Sequence, residues 1–254
     1  MAERLSANRC VDEYVDHHGG RWYQMTDFKK PDYGPSDGYT GVAFTADGRK
    51  AVWAEIVDGN VFVNAFGIWR LYIADFHVGP DDGAPHFVNK RDITPAGAKW
   101  VEAGNFSPDG KHLLLSADIG IDDARGQDQW SMDIETGVLQ NLTKTPKVWD
   151  EHGFYSPNGK KISFMSSYPY REEPDAYKTF SLKTEFMLMD ADGGHLRQLT
   201  HFNPPGYPES QDRRTVAAAA WFIGDGSQLY AVVMGPDFIS SSWMINFAGR
   251  CGGE

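Results

Sequence analysis

Apolar residues along this chain gather in short runs, and the runs come in pairs separated by tight polar turns. Four segments show this best: VAFTADGRKAVWAE (42–55), NFSPDGKHLLLSAD (105–118), FYSPNGKKISFMSS (154–167) and WFIGDGSQLYAVVM (221–234). Each predicts a strand, an Asp-Gly or Asn-Gly turn and a second strand. Such turns supply the positive φ of a tight hairpin, with a twist that matches the strands. A second pattern follows at variable distance: LYIADF…KRDIT (71–94), WSMDIETGVLQNLT (130–143) and FMLMDADGGHLRQLT (186–200). It predicts strand, polar turn, strand, and in the first copy the turn is expanded into a loop over 76–89. Each unit therefore holds four short antiparallel strands, here a to d. Helical periodicity is nearly absent. The longest candidate, RRTVAAAAWF (213–222), reads as a short helical turn leading into a strand.

The turn glycines Gly48, Gly110, Gly159 and Gly226 are too far apart and too unevenly spaced for a solenoid, and they suit four-stranded blades with loops of varying length. The units run approximately over 37–97, 98–146, 147–203 and 215–254. The stretch GGRWYQMTDF (19–28) repeats GGHLRQLTHF (193–202) at both glycines, the Gln, the Thr and the Phe. Residues 11–28 thus read as strands c and d with no inner half. They are expected to complete the last unit, closing about four blades and bringing Cys10 near Cys251. Two alternatives stand beside this. SSWMINFAG (241–249) can itself be the missing c strand, or the chain is part of a larger propeller whose open edges need a partner or self-association.

The strings FSPDGKHLLLSAD and MLMDADGGHLRQLT closely resemble the repeat of TolB-like β-propellers, also known as WD40-like or PD40 repeats. The resemblance covers most of residues 11–234. The second and third units match well; the first has TADG and the fourth IGDG in place of SPDG. It implies an all-β chain of antiparallel blades. Relatives include periplasmic scaffold proteins that bind peptide segments, propeller domains of serine peptidases and certain polysaccharide lyases, so the resemblance implies a periplasmic or secreted setting and no single function. The chain has no G-x-S-x-G elbow, which speaks against a peptidase.

Strand alternation puts the a–b and c–d turns on one face of the blades and the d–a and b–c loops on the other. The first set is short and stereotyped. The second is long and chemically varied, which is where function usually sits. WVEAGNFSPDG (100–110) and WDEHGFYSPNG (149–159) share W-x-E-x-G-x-[aromatic]-S-P-x-G just before strand a. This places Trp100 with Trp149 and Glu102 with Glu151 at matching positions, expected at the mouth of a central channel, and adds Asp150 and His152 in the third unit. Two carboxylates, an imidazole and indole platforms suit general acid/base work on a sugar, or a divalent cation such as calcium. The plain structural reading is that these residues tie blade to blade, and their repetition favours it. Asp118, Asp122, Asp123 and Asp128 form an acidic loop without EF-hand spacing. Tyr168, Tyr170, Arg171 and Tyr177 occupy the next loop, and His201, Tyr207, Arg213 and Arg214 the one after; aromatic and Arg side chains of this kind mark binding surfaces. His17, His18, His112 and His195 fall on the turn face, His77 and His86 in the expanded loop. His152 and His201 are the one pair placed to share a transition metal. The NLT sequon at 141–143 lies in a strand d and reads as structural.

Composition narrows the partners. The net charge is −11 in 254 residues, which repels a phosphate backbone and excludes nucleic acid. Aromatics at 13% and hydrophobics at 41% are enough for a packed core. There is no apolar stretch long enough to span a membrane and no signal-peptide core at the amino terminus. The expected activity is therefore a scaffold propeller that recognises a peptide or other ligand on the loop face, with no cofactor predicted; the alternative is a carbohydrate-active hydrolase or lyase using Glu102, Glu151, His152 and Asp150 on a saccharide.

Overall fold

Three of the four predicted hairpin turns are built from one set of bonds. In the computed structural model, which describes residues 13–15, 22–25, 41–59, 66–78, 84–121, 126–173 and 181–247, Ser107 Oγ donates to Asp109 Oδ1 at 2.6 Å, and the same oxygen accepts from the Lys111 amide at 3.1 Å. Gly110 closes the turn from its amide to the Ser107 carbonyl at 2.8 Å, with φ of 70°. Thr45–Asp47–Gly48 and Ser156–Asn158–Gly159 repeat every one of these contacts. The fourth turn has Ile223 where the others have a hydroxyl and keeps only the Asp225 and Gly226 bonds.

The strands are β1 (Glu13–Val15), β2 (Trp22–Gln24), β3 (Ala43–Phe44), β4 (Lys50–Asp58), β5 (Ile68–Val78), β6 (Pro85–Asp92), β7 (Val101–Phe106), β8 (His112–Ala117), β9 (Asp128–Asp133), β10 (Leu139–Asn141), β11 (Asp150–Tyr155), β12 (Lys161–Ser166), β13 (Glu185–Asp190), β14 (Arg197–Gln198), β15 (Val216–Ile223), β16 (Gln228–Met234) and β17 (Ser240–Asn246). One 3-10 turn, Tyr168–Tyr170, is the helical element among the described residues. Among the described residues no helix is long and apolar enough to cross a membrane. Three sheets are four-stranded meanders in chain order, β3 to β6, β7 to β10 and β11 to β14, as the a–d pattern predicts. The chain divides into two units, residues 1–103 and 104–254, with the division inside β7.

In the first unit Trp53 packs with Ala51 and Ala74 in a buried cluster, and Phe87 stacks on the indole at 4.8 Å. The expanded loop expected over 76–89 is shorter than predicted. β5 continues to Val78 and β6 begins at Pro85, so His77 and His86 face each other across the ladder as a stacked cross-strand pair. Apolar positions alternate on both strands, with Phe76 and Val78 opposite Phe87 and Pro85, and this period-2 pattern carries the pairing outward.

In the second unit Leu114, Leu142, Tyr155, Ile162, Phe164, Met187 and Met189 form a core between the sheets of β8–β10 and β11–β14. Burying a side chain such as Phe164 contributes about 1.5–3 kcal/mol. The stretch 213–222 forms no helix: after an irregular entry, Val216 onward is strand. β15 pairs with β16 from Val216 to Ile223, with a bulge at Ala218. Alanine's helix propensity is overridden because its small side chain leaves the β15 carbonyls open to neighbours: Ser163 Oγ donates to Ala220 O at 2.9 Å and Thr184 Oγ1 to Ala217 O at 3.0 Å. The last sheet has three strands, with β17 as its third, so Ser240–Asn246 takes the c position. β1 and β2 pair with each other in a separate sheet, and their expected junction with the last unit is not among the sheets of the described residues. Cys10, Cys251, His17 and His18 lie outside the described residues.

Candidate functional site

The W-x-E sequence acts locally. In a strand, residues i and i+2 share a face. In β4, Trp53 Nε1 donates to Glu55 Oε1 at 2.7 Å. Just before β11, Trp149 Nε1 donates to Glu151 Oε2 of that strand, also at 2.7 Å. The carboxylate is thus held by its own tryptophan. Glu55 is further paired with Lys90 at 2.6 Å. Trp53–Glu55 was not singled out from the sequence, although the same dipeptide spacing was present as the signal. Trp100 and Trp149 are buried, at 7% and 5% exposure, so neither offers the open platform expected of it. Glu102 is half-buried on β7, in the register position that Glu151 holds on β11.

His152 sits in a β-bulge between Glu151 and Phe154 with φ of 52°, a conformation that costs a non-glycine residue energy. Its Nδ1 lies 2.6 Å from Ala218 O. A carbonyl only accepts, so Nδ1 carries the proton and Nε2 is the atom turned toward Glu151 Oε1, at 3.9 Å. Within the second unit Glu151 and His152 therefore offer two donor atoms.

Asp150 was expected at the channel mouth beside them. It is 1% exposed. Thr145 Oγ1 touches both Asp150 Oδ2 and, at 3.0 Å, Asp128 Oδ1. Asp128 is itself buried and accepts from Asn141, Thr143 and the Thr145 amide. Burial raises Asp150 from 3.8 to about 7; the nearby Asp128 adds to this, and the Ser166 and Thr145 hydroxyls offset it only in part. Asp128 and Asp118 are buried rather than part of a solvated acidic loop. Asp122 and Asp123 lie outside the described residues.

The loops after β12 and β14 form a cluster around Glu185, which is fully buried. Its carboxylate accepts from Tyr170 OH (2.6 Å), Thr200 Oγ1 (2.8 Å), the amides of Phe202 (2.8 Å) and Asn203 (3.0 Å), and Asn203 Nδ2 (3.1 Å). Asn203 Nδ2 also reaches Thr184 O and Thr215 O, joining the two loops. Burial and the Glu185 charge push the Tyr170 phenol up. Tyr170 is thus an anchor rather than a surface contact. Outside this anchor stand His201, stacked on Tyr207 at 3.9 Å and bonded to Glu209, and Arg171, lying 4.2 Å over the Tyr168 ring. Tyr207 is 46% exposed. Arg213 pairs with Asp237 and Arg214 donates to Leu182 O, so both are engaged. Tyr177 lies outside the described residues. His152 and His201 are each bonded elsewhere, to Ala218 and Glu209, and the structure does not make them a shared metal pair. Tyr170→Phe is expected to cost about 1–3 kcal/mol, because it leaves a buried carboxylate oxygen short of a donor. Chemical denaturation of the variant checks it, and an unchanged midpoint would contradict the anchoring role.

No protein-family model matches the chain, and no curated protein does. Solved structures do. A TolB-type protein of Agrobacterium tumefaciens is 17% identical, with a TM-score of 0.51 over 94% of this chain and 90% of that one. Prolyl oligopeptidase B of Galerina marginata is 10% identical, with a TM-score of 0.56 over 98% of this chain and 30% of that one. A puromycin-hydrolysing peptidase of Mycobacterium tuberculosis is 10% identical, with a TM-score of 0.53 over 92% and 29%. The chain thus spans most of the first and about three-tenths of each peptidase. At these identities the likeness speaks for architecture alone, and that architecture is built of β-propeller blades.

Proposed function

We propose that this chain is a non-catalytic scaffold that binds a peptide segment on the loop face of its second unit, at the surface carried by Tyr168, Arg171, His201 and Tyr207. One observation carries the reading: the buried Glu185 fixes both loops, so the exposed aromatic and Arg groups outside it are preorganised. Rigid aromatic and guanidinium groups bind at low entropic cost. The residues expected to do chemistry are committed elsewhere. Glu151 is bonded to Trp149, His152 to Ala218 O, and Asp150 is buried. No observation favours the hydrolase or lyase alternative over this one.

Selection from a random peptide library tests the reading. Peptides enriched on the intact protein should lose about tenfold or more in affinity with Tyr207→Ala or Arg171→Ala, the loss typical of a central contact. Failure to enrich any peptide, or equal binding by both variants, would remove the proposal.

A further inference from the structure

The opposite, turn-bearing face of the second unit has a cavity of about 440 Å³ whose lining includes Asp109, His112, Ser131, Gln140, Tyr155 and Asp192. It lies between the β7–β10 and β11–β14 sheets, and Gln140 Nε2 spans them by donating to Asp192 O at 3.1 Å. Ser131 Oγ and Tyr155 OH, both buried, bond to each other at 3.0 Å. Two hydroxyls bring two protons and their mutual bond uses one. Among the described residues no acceptor takes the second, and a buried donor left over is costly. The cavity is where an acceptor can reach it.

Charge at the same cavity favours a cation. Asp109 is held below the usual carboxylate range, first by the Ser107 hydroxyl and then by the Lys111 amide, so it is ionised at neutral pH. Those bonds use Oδ1 alone. Asp192 likewise spends Oδ1 on the Gly194 amide. Among the described residues neither carboxylate is in an ion pair. Lys111 and His112 are the positive or titratable groups beside Asp109, and His112 also faces Asp133.

We propose that this cavity is a second recognition site, separate from the loop face, for a peptide residue bearing a primary ammonium group. The ammonium sits with Asp109 and Asp192, and the residue's carbonyl accepts the remaining hydroxyl proton of the Ser131–Tyr155 pair. The ammonium can come from a lysine side chain or from a chain's amino terminus.

The test is an NMR titration of the intact protein with Nα-acetyl-lysine methylamide, alanyl-alanine amide and, as the uncharged control, Nα-acetyl-norleucine methylamide. Saturable shifts of the lining residues with either charged probe, and none with norleucine, support the site; which charged probe binds identifies the source. Asp109→Asn should weaken binding about fivefold, the loss of one partly exposed ion pair. This variant preserves the turn, since Asn158 makes the same bonds in the sister turn. Tyr155→Phe should weaken it independently, and the Asp109 effect should shrink at high salt. Equal response to the norleucine probe, or affinity unchanged in both variants, overturns the proposal.

Discussion

Gly104→Ala is expected to destabilise the protein by about 3 kcal/mol or more, the upper range for forcing atoms into a packed interior. A Cβ at this position would lie 2.2 Å from the Gly153 carbonyl oxygen and 3.1 Å from that of Leu114. Both obstacles are backbone, so no side chain can swing aside. At about 2–4 °C per kcal/mol for a chain of this size, the melting temperature should fall by at least about 6 °C. Gly41→Ala is the control, since a Cβ there meets nothing within 4 Å. Equal melting temperatures for the two variants would refute the close approach. Gly104 and Gly153 are the same letter of the W-x-E-x-G motif, on the facing strands β7 and β11, so the motif's glycine is explained by the distance between sheets.

Asp150→Asn should make the protein more stable in neutral and mildly alkaline solution. The folded carboxyl titrates at about 7 and the unfolded one near 3.8. Between those values the folded state binds more protons, so stability falls as pH rises through this window and levels off above it. The full effect is about 4 kcal/mol by the usual conversion. Asparagine has no proton to lose. The stability difference, variant minus parent, should therefore be smallest below pH 4 and grow until about pH 7. Comparing denaturation midpoints from pH 4 to pH 8 cancels the titration of the other carboxylates. A difference that stays flat would mean that burial does not raise the Asp150 carboxyl. This pH dependence belongs to the fold and is distinct from the ligand sites, because Asp150 is closed off from solvent.

Much of the site's chemistry was visible as residues but not as roles. Trp149, Asp150, Glu151 and His152 stand together in the chain and suggest a catalytic mouth. In the structure four consecutive residues do four different things: a buried indole that holds Glu151, a buried carboxyl beside Thr145, a bonded glutamate and a bulged imidazole. Glu185 went unremarked because nothing nearby in sequence announces it. Its donors come from Tyr170, Thr200, Phe202 and Asn203, in loops on either side of β13 and β14. His112 was set aside as a turn residue, yet it lines the cavity of the turn face.

The sequence by itself determined the hairpins, their turn chemistry and the order of strands within each sheet. Those depend on residues within a few positions of one another, where Ser-Pro-Asp-Gly and period-2 alternation act directly. Only the tertiary structure decided which carboxylates are buried, which glycine must lack a side chain and which strand completes the last sheet. Such outcomes arise where two sheets or two loops meet, between residues such as Gly104 and Gly153 or Asp128 and Asp150 whose proximity no local pattern encodes.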